Sequence, residues 1–214
     1  MRKGKLVGAS VLAAALALVG AQSLGARSAT PLRFGANLTN ESQPSNAEGG
    51  QTCDENAGIP QGATCSWVSV QAYHNGGHEK APKTGTIGQV RLVSCVGGSF
   101  RLQFAQVKPN QRMARVVRNG PLITYKADPR QIDGDDNTVC GGDNGDDYII
   151  QIFRVNLHVN KGEYIAIKTA RTGALYCSGG DGVALYSPPL APGQAFRNRT
   201  GGASCNLLVQ LQYA

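Results

Sequence analysis

Apolar and polar positions alternate with a spacing of two from about residue 67 to the C-terminus, and the alternation is densest over residues 148–169, YIIQIFRVNLHVNKGEYIAIKT. β-Branched and apolar side chains crowd every second position up to Val159, Asn160-Lys161-Gly162-Glu163 interrupts, and Tyr164 resumes the pattern. Such a pattern predicts two strands joined as a β-hairpin, with Gly162 supplying the positive φ of a tight turn. Two further hairpins are expected. One joins residues 86–94 to 100–107 through Val96-Gly97-Gly98-Ser99, and the other joins 113–118 to 122–125 through Asn119-Gly120-Pro121. Residues 67–73 set Val68, Val70 and Ala72 against Trp67, Ser69, Gln71 and Tyr73, again a strand. The closing stretch sets Leu207, Val209, Leu211 and Tyr213 against Asn206, Leu208, Gln210 and Gln212, and so regular a strand belongs inside a sheet.

About eight or nine short strands, 28 glycines and no helical periodicity after the first residues define an all-β protein. The expected architecture is one antiparallel β-sandwich, jelly-roll-like, spanning residues 53–214. Residues 22–52 read as a polar leader with a first short strand at 31–38. At the start, Arg2, Lys3 and Lys5 precede an uncharged run over residues 6–19. The run is shorter than a bilayer span, so residues 1–21 read as a signal peptide cleaved after Ala21, with an uncleaved anchor as the alternative. No later stretch is apolar enough to span a bilayer, and the mature chain is expected to be secreted.

The formal charge of +7 is partly a property of that signal. Residues 80–126 hold nine basic residues and no acid, whereas 128–147 hold seven acids and one base, which reads as two solvated surfaces of opposite sign. Aromatic interleaving is sparse in the basic stretch and its phenylalanines fall on the apolar face, so nucleic-acid binding is not expected. Six cysteines, Cys53, Cys65, Cys95, Cys140, Cys177 and Cys205, follow the signal without a CxxC. Three disulfides are expected, and proximity along the chain suggests Cys53 with Cys65, Cys177 with Cys205, and Cys95 with Cys140.

Four stretches, APKTGTIGQVRLVS (81–94), VNKGEYIAIKT (159–169), LYSPPL (185–190) and LLVQLQY (207–213), resemble uncharacterised secreted β-sandwich proteins of actinobacteria. The resemblance implies a fold and an exported location and carries over no catalytic residue.

Candidate chemistry is thin. Asp133, Asp135, Asn137, Asp143, Asp146 and Asp147 offer the hard oxygens that calcium prefers, but Thr138 and Asn144 stand where an EF-hand needs its glycine and its bidentate glutamate. A solvated loop tied down at Cys140 is the default; calcium is the candidate cofactor, and none is required. His74 and His78 stand in a glycine-containing loop, not on a helix face, and read as ordinary loop residues. His158 reads as a strand residue facing water or a hydrogen-bond partner. Neither a GxSxG nor a carboxylate in a pKa-raising environment appears, so the chain reads as a non-enzyme. Trp67 and Tyr73, with Ser69 and Gln71, form the candidate ligand face, the rings stacking on sugar while the polar groups take its hydroxyls. The competing reading, which is the preferred one, places Trp67 in the core beside the Cys65 disulfide, where large aromatics usually go. The expectation is a secreted, non-catalytic extracellular module that binds glycan. The alternative is a structural or adhesive domain contacting surface proteins, and a hydrolase comes third.

Overall fold

A computed structural model describes residues 30–38, 51–55, 58–72, 77–94, 96–127, 149–177 and 182–214. In chain order its strands are β1 (Arg33–Gly35), β2 (Gln51–Thr52), β3 (Cys65–Ser69), β4 (Gly85–Leu92), β5 (Gly98–Val107), β6 (Met113–Tyr125), β7 (Gln151–Val159), β8 (Tyr164–Thr169), β9 (Arg171–Thr172), β10 (Leu175–Tyr176), β11 (Val183–Tyr186), β12 (Arg197–Asn198), β13 (Gly201–Ala203), β14 (Asn206–Leu207) and β15 (Val209–Tyr213). A short 3-10 turn occupies Cys53–Glu55.

Two antiparallel sheets carry the fold, one ordered β1-β15-β4-β7 and the other β12-β6-β5-β8-β3-β11-β13. Their inner faces meet in one apolar cluster. Phe34, Ile87, Val90 and Leu211 come from the first sheet, and Trp67, Phe100, Leu102, Phe104, Ile165 and Ile167 from the second. Setting aside β2 and the strands of the passage between β8 and β15, the remaining β1, β3, β4, β5, β6, β7, β8 and β15 lie first-eighth-third-sixth in one sheet and fifth-fourth-seventh-second in the other. That alternation is a jelly roll. The passage between β8 and β15 adds β11, β12 and β13 to the ends of the second sheet, pairs β10 with β14, and supplies β9 as the partner of β2.

This topology corrects the expected hairpins. β7 lies beside β4, whereas β8 lies between β5 and β3, so residues 160–163 form an arch that crosses from one sheet to the other. β4 and β5 are likewise in different sheets. The Asn119-Gly120-Pro121 stretch does not turn; it lies inside β6, a strand of 13 residues whose pairing with β5 shifts register between Arg101 and Gln103. Proline is tolerated there because only the far end of β6, at Met113 and Ala114, pairs with β12. A spacing of two states which side chains share a face and is silent on which strand lies alongside. A four-residue link serves a hairpin or an arch equally well.

The arch is held by polar contacts. Gly162 adopts φ +84°. The Glu163 carboxylate, 2% exposed, accepts from Asn160 N and Asn160 Nδ2, each at 2.9 Å, and from Arg118 Nη1 at 3.1 Å, with Arg118 Nη2 closing the ion pair. Arg118 also donates from Nε to His158 O at 3.0 Å. A guanidinium on β6 thereby ties the edge of the second sheet to the end of β7 and to the arch, satisfying a carboxylate that would be costly to bury alone.

Two of the expected disulfides are present, Cys53–Cys65 and Cys177–Cys205, closing separations of 12 and 28 residues. Each is worth about 2–4 kcal/mol through restriction of the unfolded chain. Cys95 and Cys140 lie outside the described residues. The early strand at 31–38 is observed as β1, which pairs with β15, and the closing strand sits between β1 and β4. Gly35 is required where β1 enters: φ is +91°, and a Cβ would collide with Val209 O and Ile165 Cδ1.

Candidate binding face

Trp67 is 1% exposed and packs in the cluster shared by both sheets. Ser69 is also buried, its hydroxyl donating to Gln71 O at 3.0 Å; Gln71 is exposed, and Tyr73 lies outside the described residues. Trp67 is therefore a core residue, as the preferred reading has it, and the alternative of an aromatic platform at the surface does not hold. β3 is an interior strand with β8 on one side and β11 on the other, and all five of its residues are buried. Asp133, Asp135, Asn137, Asp143, Asp146, Asp147 and His74 lie outside the described residues. His78 serves β1, its carbonyl accepting from Gly35 N at 2.7 Å. His158 is exposed on β7, with Nε2 3.1 Å from Asn160 Oδ1. Among the described residues no group of three or more His, Cys, Asp or Glu could hold a metal.

The outer face of the second sheet is covered over its middle, while Ser99, Arg101, Leu122 and Thr124 at one end of β5 and β6 stay exposed. Val68, Ala105, Ala114, Val116, Ala166, Ala184 and Tyr186 form a second apolar cluster with Leu190, which belongs to the passage following β11. The small residues let that passage lie close. Its backbone is sewn to the sheet: Leu190 N donates to Ser66 Oγ at 2.9 Å, Ser66 Oγ donates to Gln103 Oε1 at 2.8 Å, and Gln103 Nε2 donates to Leu190 O at 3.1 Å. At the rim, Lys108 and Arg115 lie over the Phe196 ring at 4.4 and 4.8 Å. The buried Tyr186 hydroxyl has no hydrogen-bond partner among the described residues. Burial pushes its pKa up to about 12, with the Arg199 charge acting the other way.

The outer face of the first sheet is its opposite. Register sets two rows across all four strands: Arg33, Gln212, Gln89 and Arg154 in one, Gly35, Gln210, Arg91 and Ile152 in the other. Thr86 beside His158 begins a third. Arg154, Asn156, His158, Thr86 and Ile152 are exposed, and Arg33, Gln89, Arg91 and Gln212 partly so. These rows contain three arginines and no carboxylate. Glutamines hold two of the three guanidiniums in place: Gln212 Oε1 accepts from Arg33 Nε at 2.9 Å, and Gln210 Oε1 accepts from Arg91 Nη1. Gln210 is itself anchored by donating from Nε2 to Ala36 O at 2.6 Å. Burial, and secondarily the Arg33 charge, pull the Arg91 pKa below the ordinary arginine value. Chemically the face offers fixed, outward N–H donors, amides able to give and accept, and positive charge.

These residues escaped the sequence reading. Gln210 and Gln212 were visible as one side of the last strand, and Gln89, Arg91 and Arg154 sit at alternating positions. What brings them together is the adjacency of β15, β4 and β7, which spans more than a hundred residues of chain. Comparison with family models, with curated proteins and with solved structures gives no match to this chain. The class is thus given by the fold alone: an all-β jelly-roll sandwich with disulfides, in which no helix of the described residues is long and apolar enough to cross a membrane.

Proposed function

We propose that the chain is an exported, non-catalytic module that binds carbohydrate on the outer face of its four-stranded sheet. Export is supported by the basic residues and apolar run at the N-terminus and by two disulfides, which persist in oxidising compartments. The observation that carries the binding reading is the pair of register rows in which Arg33, Gln89, Arg91, Arg154 and Gln212 reach the surface over the buried Gln210. Amides and guanidiniums side by side match the hydroxyl and ring oxygens of a sugar, and a four-strand width accommodates an extended chain. A protein-contact role draws less support. Among the described residues the most exposed large apolar ones, Leu122 at 57% and Ile152 at 54%, belong to different sheets and point from opposite outer faces. A protein interface needs an apolar centre, and these two do not make one.

The test is a glycan-array screen of the oxidised mature protein, run with calcium and with chelator, beside Gln89→Ala and Arg154→Gln variants. Binding that weakens in both variants supports the reading. Binding indifferent to both, or none on the array, contradicts it.

A further inference from the structure

Resting on that reading, we infer that the ligand is an acidic polysaccharide whose carboxylates are taken by Arg33, Arg91 and Arg154. Neutral sugars are ordinarily gripped by aromatic rings stacking on their apolar faces. Here Trp67 is in the core, and the register rows of this face contain no aromatic side chain. What the face has instead is charge of one sign. Arg33 and Arg154 lie at the two ends of one row, three strand intervals or about 14 Å apart, and Arg91 lies in the next row between them.

Each arginine is under-used by the protein. Arg33 spends one donor on Gln212 and Arg91 one on Gln210, and Arg154 has no side-chain partner among the described residues. A guanidinium has five donors in a planar fork that fits a carboxylate with two parallel bonds. Like charges gathered without a carboxylate in these rows, among the described residues, are unfavourable, and the lowered Arg91 pKa reflects first its burial and then its Arg33 neighbour. A bound carboxylate relieves that repulsion. Other polyanions fit less well: single-stranded nucleic acid wants stacking aromatics, and a duplex wants an element that enters a groove, where this site is the face of a sheet. The intervening Gln89 and Gln212 amides suit sugar hydroxyls between successive carboxylates.

The test uses polygalacturonate and its fully methyl-esterified form, which keeps the sugar chain and removes the charge, with a single-stranded DNA as a second polyanion. The full mature protein is compared with Arg91→Gln and Arg154→Gln, each checked by thermal melting. Arg154 is exposed and without side-chain partners, so its variant remains folded even if Arg91→Gln does not. The expected result is binding to polygalacturonate that is lost on esterification, at least about tenfold weaker in Arg154→Gln, and stronger than binding to the DNA. Equal binding to the esterified polymer, or binding only to neutral glycans, overturns the charge assignment and leaves the carbohydrate reading standing. Equal binding to DNA overturns the polysaccharide assignment in favour of indiscriminate polyanion binding. Failure to bind either polymer or any arrayed glycan overturns both.

Discussion

The two outer faces of this sandwich differ: one is covered over its middle strands, leaving Arg101 and Leu122 exposed at one end, and the other is open. On the seven-stranded sheet, Ser66, Val68, Ala105, Ala166 and Ala184 are small or apolar, and the passage through Leu190 settles onto them with its backbone hydrogen-bonded to Ser66 and Gln103. On the four-stranded sheet, Gln89, Arg91, Arg154 and Gln212 occupy the equivalent outward positions, and five of the outward residues are exposed. Side-chain size and charge at alternate positions decide which face a loop can cover: a covering loop must leave no polar group unpaired, and three guanidiniums would be costly to bury that way. The four-stranded face thereby keeps its polar rows at the surface.

The largest effect that would sharpen this contrast comes from Trp67. Because the ring lies in the shared core, Trp67→Ala should cost about 3–5 kcal/mol in urea denaturation, while molecules that remain folded bind as the unaltered protein does. A loss of binding without loss of stability would instead place Trp67 in a ligand site.

Next in size is the covered face. Ser66→Ala leaves Leu190 N and Gln103 Oε1 without their partner and should destabilise by about 2 kcal/mol, with faster amide exchange at Leu190. An unchanged exchange rate would show that the passage is not held by this network.

Tyr186 gives a smaller, pH-dependent effect. Its folded-state pKa of about 12 lies above the unfolded value of about 10, so the folded state prefers the neutral phenol. Stability from this source is complete below pH 10 and is lost as pH rises towards 12, by about 1 kcal/mol at pH 11. Tyr186→Phe, which removes a hydroxyl without a partner among the described residues, should match the parent near pH 7 and remove that component of the alkaline decline. An identical decline in both proteins would assign it to other groups.

The smallest stability effect belongs to the open face. Arg154→Gln should change unfolding free energy by no more than about 0.5 kcal/mol, so that any change in glycan affinity is a binding effect.

Much of the fold was legible in the sequence and its connectivity was not. The alternation from Tyr164 to Thr169 located its strand, that from Asn206 to Tyr213 ran as one strand over what are two, β14 and β15, in different sheets, and the proximity of Cys53 to Cys65 and of Cys177 to Cys205 gave both observed disulfides. The link at Asn160 to Glu163 was misread because local spacing carries no information about long-range pairing, and in a jelly roll most successive strands go to opposite sheets. β5 and β6, joined through residues 108–112, are a hairpin that the pattern did not propose, because Gly120 and Pro121 drew the turn into what is a bulge. The proposed ligand face was missed for a related reason. Trp67 was conspicuous by residue type but lies in an interior strand, whereas Arg33, Gln89, Arg91, Arg154 and Gln212 are commonplace residues made notable only by register. The acidic segment from Asp133 to Asp147 lies outside the described residues.

The most direct test of the account is an NMR titration of the isotope-labelled mature protein with a short galacturonate oligomer. The account requires shift changes concentrated at Arg33, Gln89, Arg91, Arg154, Gln210 and Gln212, with Ser66, Gln103 and Leu190 unmoved. Changes centred on Leu190 and its neighbours, or none at saturating oligomer, would contradict it.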